Sequence, residues 1–339
     1  MKRSTALLAS ILAVLLVSAC AAPRQAASTG SPAGTAAASA TPSFTGKSLN
    51  IVTGGTGGVY IVYGAGLADL LNKKLGTAAS AQSTPASVDN MKLIRDGKAD
   101  LAFTLSDTAY DAVQGKGKFA PPEAKADAKA LAILYSNFTH FVVRNDSAIK
   151  TIADLKGKRV NTGAAGSGTE IIANRTLEAY GLDPATDIQR ERTGVADAAA
   201  QLKDGRIDAF VWSGGLPTGA VADLAKSVPI RILDQTDGIK KLADKYGPFY
   251  FGATIPKGTY GLAADTTVSG VANILVAPSS MDAALAKAIL RTMFDNVADL
   301  GTIHPEGKNL KLETAIVGSP IDFHPGAIDF YKEKGVWKK

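Results

Sequence analysis

Hydrophobic and polar positions along the chain form two alternating patterns, which predict strands and helices in turn. Short apolar runs such as "LNIV" and "LAF" stand next to glycine-containing loops and to stretches with apolar residues three or four positions apart. Leu285, Ile289, Met293 and Val297, for example, have four-residue spacing and predict one buried helix face, with Met293 in the core. Because strands alternate with helices, we expect an α/β fold with parallel sheets covered on both faces.

The first 45 residues do not follow these patterns. "MKRSTALLASILAVLLVSAC" has a basic start, an apolar run and small residues, as in a secretory signal peptide. Residues 1–20 therefore predict a lipoprotein signal peptide with Cys20, the only cysteine, as the lipidated residue; the alternative is a structural thiol in an uncleaved segment. Residues 21–45 are almost all Ala, Ser, Thr, Gly and Pro, which predicts a flexible tether with a reach of roughly 25–30 Å.

The remaining chain contains an internal repeat. "LNIVTGGTGGVY" at 49–60 resembles "KRVNTGAAGSGTE" at 158–170, and "DNMKLIRDGKADLAF" resembles "AAAQLKDGRIDAF" further on. The distance from Gly55 to Asp96 equals that from Gly163 to Asp204, at an offset of 108. We expect two lobes of similar plan, with Gly97 and Gly205 ending helices in the left-handed conformation. The alternative is a chance similarity between two βαβ units.

Two β-rich runs, at 131–147 and 267–278, predict strands that cross between the lobes and form a hinge. The first lobe would then comprise residues 46–139 and 277–339, and the second residues 140–276. This organisation predicts a two-lobed type II periplasmic-binding-protein fold, with two doubly wound sheets joined by hinge strands and a cleft between them.

The glycine loops predict an anion site of a particular kind. Neither loop matches GxxxxGK[ST] or GxGxxG, so a nucleotide is not expected. Each loop opens a helix, whose free N–H groups and partial positive charge suit carboxylates as well as phosphates. We therefore expect a shared site for a small acid in the cleft, with one carboxylate near "GSGT". The alternative is that the glycines only form tight turns.

Composition and motifs argue against other classes of function. The charge is +6 overall and no basic run with interleaved aromatics occurs, so nucleic acid is not an expected partner. HExxH, GxSxG, a cysteine nucleophile and spaced metal ligands are lacking in the sequence, so we expect no enzyme, no metal and no cofactor. Asp100 and Asp208 are interpreted as turn residues, whereas His140 could line the cleft and Arg144 could supply a cation.

Several blocks together resemble the TAXI family, the solute-binding receptors of TRAP transporters. They include "IVTGGTGGVYIVYGAGLADLLN", "PASVDNMKLIRDGKADLAFTLSD", "DGRIDAFVWSGGLPTGAVADLA" and "HPGAIDFYKEKGV", and the resemblance covers residues 48–337. It implies capture of a small organic acid, glutamate-like or a dicarboxylate, in the periplasm, for a TRAP-type permease. We expect a monomer held at the membrane by its lipid anchor. Many receptors of this family have no such anchor, which leaves the type of permease open.

The resemblance also implies which residues bind the ligand. The predicted set is Thr56, Gly57, Gly58, Tyr60, Ser87, Asn90, Ser106, Asp107, Ser167, Gly168, Thr169, Trp212, Ser213 and Gly214. Trp212 would pack against the carbon chain of the ligand, or else belong to an ordinary core at the end of a strand. The alternative function is that of an ABC-importer binding lipoprotein for a small anion such as a sulfonate. An enzyme on the same fold is disfavoured because a base and a nucleophile are missing.

Overall fold

The computed structural model describes residues 43–338. The strands in this range are β1 Ser48–Val52, β2 Ala78–Gln82, β3 Leu101–Leu105, β4 Ala128–Arg144, β5 Arg159–Asn161, β6 Gln189–Glu191, β7 Ala209–Gly214, β8 Ile230–Ile232, β9 Tyr250–Ile255 and β10 Thr266–Pro278. The helices are α1 Val59–Leu75, α2 Ser87–Arg95, α3 Ser106–Gln114, α4 Gly168–Ala179, α5 Val195–Lys203, α6 Gly219–Ser227, α7 Thr236–Tyr246, α8 Ala283–Asp295, α9 Val297–Ile303 and α10 Pro325–Glu333. Short 3₁₀ helices cover Gly117–Phe119, Ala153–Leu155, Thr259–Gly261 and Pro305–Asn309.

The strands form two parallel groups connected by two long antiparallel strands. Their order is β2-β1-β3-β10-β4-β7-β5-β6, while β8 pairs with β4 and β9 with β10. The β1–β3 group and the β5–β7 group are each parallel, and β10 and β4 run antiparallel to their neighbours. We call the β1–β3 group with its helices the first lobe, and the β5–β7 group with its helices the second lobe. The predicted two-lobed α/β fold is confirmed, and its two sheets are hydrogen-bonded into one through β4 and β10.

Equivalent hydrogen bonds occur in both lobes, as the internal repeat predicts. The carboxylate of Asp100 accepts from the N–H of Asn50 at 2.7 Å, and that of Asp208 accepts from the N–H of Arg159 at 2.8 Å. Each of these aspartates therefore ties the start of one parallel strand to its neighbour, which confirms the structural interpretation. Gly97 and Gly205 have φ of 65° and 70°, the left-handed helix ends expected from the sequence.

The two glycine loops match with a shift of one residue from the predicted offset. Gly57 and Gly166 both have φ of 82° and directly precede the N-cap residues of α1 and α4. Thr53 and Thr162, at the start of the loops, each donate a backbone hydrogen bond to the residue that ends a neighbouring strand. Gly163 of the second loop therefore corresponds to Gly54 of the first loop, rather than to Gly55 as the sequence offset predicted.

Each lobe has apolar side chains on both faces of its strands, because its helices cover both sides. Helix α8 completes one apolar core of the first lobe with Leu285, Ile289 and Met293, all of them buried. Burying such a side chain stabilises the fold by ~1.5–3 kcal/mol. Val297 begins α9 instead of continuing α8, because the first helix ends at Asp295 and Asn296 is not helical. The prediction of Met293 as a core residue is confirmed.

The predicted signal peptide, Cys20 and most of the predicted tether lie outside the described residues. Between residues 43 and 338, no helix has both the length and the apolar character needed to cross a bilayer. The same part of the chain contains no cluster of His, Cys, Asp and Glu side chains suited to a metal ion.

Candidate functional site

A cavity of about 60 Å³ lies at the carboxyl ends of the parallel strands of both lobes. This is the position at which ligands generally bind to open α/β sheets. Its lining residues are Gly54, Gly55, Gly58, Val59, Tyr60, Pro85, Ala86, Ser87, Leu105, Tyr135, Asn137, Gly163, Ala164, Ser167, Gly168, Thr169, Gly194, Val195, Trp212, Ser213 and Gly214. None of these side chains carries a formal charge.

Five helices begin at this cavity. Each follows the end of a strand, and the cap or first residues of α1, α2, α3, α4 and α5 are all part of the lining. The first N–H groups of a helix have no partner within it, and the end carries about half a positive charge. The cavity is therefore surrounded by hydrogen-bond donors and by positive helix ends, without a cationic side chain.

The N-terminus of α1 retains its free donors. Its N-cap is Gly58, which has no side chain to accept from the first turn, and no acidic residue lies in that turn. A Cβ built at Gly58 would lie 3.0 Å from the Trp212 ring of the second lobe, so a larger residue would require this ring to shift. Val59 and Tyr60 line the cavity and are the first two residues of α1, whose backbone N–H groups have no partner within the helix.

The N-terminus of α4 is capped and lies among charged side chains. Ser167 is its N-cap, and the Ser167 hydroxyl accepts from the N–H of Glu170 at 3.0 Å. The buried carboxylate of Glu170 accepts from the N–H of Gly166 at 3.1 Å, a variant of the capping box. Arg190 and Arg192 donate to the same carboxylate at 2.7 and 3.2 Å. The charge of Glu170 is thus paired with two cations behind the loop.

A chain of amides and hydroxyls forms another part of the wall. The Tyr60 hydroxyl donates to Asn273, Asn273 donates to the Asn137 side chain at 2.7 Å, and Asn137 donates to the Ser213 carbonyl at 3.2 Å. The hydroxyls of Tyr135 and Ser213 are buried and have no hydrogen-bond partner among the described residues, although both residues line the cavity. Burial raises the pKa of Tyr135 and keeps its hydroxyl protonated. Both hydroxyls can therefore bind a polar group of a ligand, since an unpaired buried hydroxyl is costly.

The loop before α2 adds backbone strain to the site. Ala86 has φ of 104°, a conformation that costs an alanine on the order of 1–3 kcal/mol and often marks functional sites. At the corresponding position before α5, Gly194 has φ of −67° and faces open space.

Nine of the fourteen predicted binding residues line the cavity. They are Gly58, Tyr60, Ser87, Ser167, Gly168, Thr169, Trp212, Ser213 and Gly214. Trp212 also donates from its indole N–H to the Thr218 hydroxyl at 2.8 Å and packs against an apolar cluster of the second lobe. Its ring is therefore both a wall of the cavity and part of a core, and its contact with the carbon chain of a ligand stays a prediction.

The other five predicted residues do not contribute to the lining, for identifiable reasons. Thr56 is exposed, and Gly57 contacts α6 through its carbonyl, which accepts from the N–H of Ala220 at 3.3 Å. Asn90 is buried, and its amide donates to the Thr53 and Phe103 carbonyls of the first lobe at 2.6 and 2.8 Å. Ser106 and Asp107 are buried in the first turn of α3, away from the cavity wall.

Asp107 belongs to an ion-pair cluster between the lobes. Arg175 of α4 donates to Asp107 at 3.2 Å, to Asp111 at 2.5 Å and to the Tyr250 hydroxyl at 2.9 Å. Its guanidinium thus lies between two carboxylates of α3. Burial raises the pKa of Asp111, and the Arg175 charge opposes this effect. The cluster connects the two lobes on one side of the cavity.

The two side chains considered near the crossing strand lie elsewhere. His140 is buried outside the lining, and its Nδ1 donates to the Phe138 carbonyl at 2.7 Å and lies 3.2 Å from the Trp212 carbonyl. Its Nε2 has no partner among the described residues, and burial lowers the pKa of His140 to about 4. Arg144 is partly exposed and pairs with Asp146 at 3.2 Å.

Sequence reasoning missed Tyr135, Asn137 and Asn273, which lie on β4 and β10. Tyr135 and Asn137 are two residues apart and so face the same side of the strand. Polar side chains within an otherwise apolar crossing strand are the signal that could have indicated them.

The fold is that of the two-lobed periplasmic binding proteins. The binding-protein component of an ABC phosphonate transporter from Pseudomonas aeruginosa is similar, with 13% identity, coverage of 77% of this chain and 79% of that chain, and a TM-score of 0.52. The alkanesulfonate-binding protein SsuA from Xanthomonas axonopodis pv. citri, bound to MOPS, shows 17% identity, covers 87% and 96% of the two chains, and has a TM-score of 0.48. The chain itself belongs to the NMT1-like family, whose model matches residues 51–335.

Proposed function

We propose that this protein is an extracytoplasmic solute-binding receptor, which captures a small anion between its lobes and delivers it to a membrane permease. The observation that carries the proposal is the convergence of five helix N-termini on a cavity whose side chains have no charge. Such a cavity stabilises an anion through N–H groups and helix dipoles. A cationic ligand would find no negative group in the wall.

A thermal-shift screen tests this proposal. A ligand that binds only the folded state raises the melting temperature in proportion to ln(1 + [L]/Kd). We expect small carboxylates, sulfonates or phosphonates to raise it, and amines of the same size to have no effect. A screen in which no anion stabilises the protein, or in which the amines do so, would contradict the proposal.

Two kinds of permease are compatible with this function. The similarity to a phosphonate-binding component supports an ABC importer for a small anion such as a sulfonate. The TAXI resemblance of the sequence favours a TRAP-type permease and a glutamate-like acid or a dicarboxylate. The neighbouring genes distinguish them, because an ATPase indicates the first and a large fused permease with many spans the second.

Closure of the lobes is part of the proposal. We infer a first lobe of residues 46–139 and 277–339 and a second lobe of 140–276, which close on the ligand as a monomer. Gly58 against Trp212, and Arg175 against Asp107, are contacts that exist only when the lobes are together. Small-angle scattering with a stabilising anion should show a smaller radius of gyration than without it. Equal radii at saturation would contradict closure.

Export and anchoring follow from the first residues of the chain. We propose that residues 1–20 direct export and that Cys20 is acylated, so that residues 21–45 hold the folded body away from the bilayer. A Cys20→Ser variant should move from the membrane fraction to the soluble fraction. Its retention in the membrane fraction would contradict the anchor.

A further inference from the structure

We propose that the cavity selects solutes with one negative charge over solutes of the same shape with two. This inference rests on the proposed function, because it concerns the ligand of the same cavity. It departs from the dicarboxylate that the sequence resemblance implies, and its basis is the distribution of charge around the five helix ends.

The helix ends differ in how much positive charge they retain. The first turns of α2, α3, α4 and α5 contain Asp89, Asp107, Glu170 and Asp197, respectively, whereas that of α1 contains no acid. Acidic side chains in a first turn offset the positive helix end. The N-terminus of α1 is also without a capping side chain. A single anion is therefore stabilised most strongly at this end of the cavity.

The wall formed by the second loop already lies next to two carboxylates. Asp89 of the first lobe is half-buried against this loop, and a Cβ built at Gly166 would lie 2.6 Å from its Oδ1. The backbone N–H of Asp89 donates to the Gly166 carbonyl at 3.1 Å, which keeps α2 against the loop. Burial raises the pKa of Asp89, and the nearby Glu170 charge acts in the same direction. A second negative charge of the ligand at this wall would lie close to the Asp89 carboxylate, which would repel it.

The arginines nearest to this wall lie outside the lining and donate to carboxylates of the protein itself. Arg190 and Arg192 donate to Glu170, and Arg175 donates to Asp107 and Asp111. Among the described side chains of the wall, the Tyr135 and Ser213 hydroxyls are buried without a hydrogen-bond partner. Hydroxyls bind a neutral amide or hydroxyl group well, but they cannot neutralise a carboxylate that has lost its water.

Pairs of ligands with the same shape and different charge test this inference. Calorimetric titration would compare succinamate with succinate and glutaramate with glutarate; butyrate and ethanesulfonate are included as simple monoanions. We expect each amide to bind at least ten times more tightly than its diacid. A diacid that binds as tightly as its amide, or more tightly, overturns the selection while leaving an anion-binding function intact. If the two monoanions and all the pairs fail to bind, the proposed function fails as well.

A charge introduced into the wall provides the second arm of the experiment. Gly194 lines the cavity, its φ is accessible to any residue, and a Cβ there meets no atom within 4 Å. Gly194→Lys adds a cation, and Gly194→Gln adds a side chain of similar length without charge. We expect Lys to shift the amide-to-diacid ratio at least tenfold towards the diacid, and Gln to leave the ratio unchanged. The same ratio in both variants, with both folded by circular dichroism, overturns an electrostatic origin of the selection.

Discussion

The two glycine loops have nearly the same backbone and different chemistry. Each follows a parallel strand, contains a glycine at φ of 82° and opens a helix at the cavity. The first loop ends in Gly58, with no capping side chain and no acid in the following turn. The second loop ends in Ser167, which caps α4. The first turn of α4 contains Glu170, which two arginines neutralise. A repeated fold can therefore supply two helix ends of unequal electrostatic strength.

This difference assigns separate tasks to the loops. The free N–H groups at the start of α1 suit the charge of a ligand, whereas the second loop is stabilised internally and contacts the first lobe through Asp89 and Leu105. The sequence predicted a carboxylate near "GSGT", at the N-terminus of α4. Whether the ligand's charge lies there or at α1 depends on which of the two helix N-termini stabilises an anion more strongly. The following predictions are ordered from the largest expected effect to the smallest.

A negative charge at the first loop should reduce affinity most. Gly55 lines the cavity and has open space for a Cβ. Gly55→Asp at roughly 4 Å from the bound anion costs ~4 kcal/mol at an effective dielectric near 20, about three decades of affinity. Ser167→Asp should cost less, because aspartate preserves the cap and the charge lies at the weaker end. Calorimetry with the best acid of the screen measures both.

The neutral variants Gly55→Asn and Ser167→Asn control for size at each position. They should retain most of the affinity. A larger loss for Ser167→Asp than for Gly55→Asp would reverse the assignment of the charge to α1.

Mild acid should destabilise the second lobe through His140. The pKa of this buried imidazole is about 4 in the folded protein, whereas an unperturbed histidine has a pKa of 6.5. The neutral form therefore stabilises the fold fully above pH 6.5. The stability is lost as the pH falls from 6.5 towards 4, by an amount on the order of 3 kcal/mol. Urea unfolding at a series of pH values, in the wild type and in His140→Phe, would show this loss as their difference. Parallel pH profiles of the two proteins would be inconsistent with a buried neutral His140.

Removal of a cation behind the second loop should destabilise the fold. Arg190→Met leaves Arg192 as the remaining cation on the buried Glu170 carboxylate, and we expect a loss of about 2 kcal/mol in the free energy of unfolding. Lys332→Met, in the last turn of α10, is a surface control with an expected change within ~0.5 kcal/mol. Denaturant titration measures both changes. Equal changes would indicate that Glu170 is not held by Arg190.

Loss of the Ser167 hydroxyl should have the smallest effect. Ser167→Ala removes the cap of α4 and should lower stability by ~1 kcal/mol, whereas Ser167→Asn, which can cap, should cost a few tenths. Hydrogen exchange at the N–H of Glu170 would report the loss locally. Similar exchange rates in the alanine and asparagine variants would show that the cap does not stabilise this end.

The sequence predicted those parts of the molecule that depend on local pattern. The repeat, the helix-ending glycines and the two loops all arise from short segments with characteristic residues. Asp107 was predicted as a ligand contact, but Arg175, 68 residues away, pairs with it, and no local pattern indicates that partner. Tyr135 and Asn273 meet at the wall only through the pairing of β4 with β10, at a separation of 138 residues. Long-range pairings of this kind decide which polar groups remain free, and they are not readable from spacing alone.

The pairing of β4 with β10 also has a consequence for synthesis of the chain. The first lobe needs β10 between β3 and β4, yet β10 ends at Pro278, far downstream of Arg144 at the end of β4. At about 5–20 residues per second, the ribosome needs roughly 7–27 s to cover this interval. During that time the nascent first lobe lacks β10. Contacts between residues so far apart in the sequence also form slowly. The emerging chain is thus kept from completing its native sheet until nearly all of it has been made.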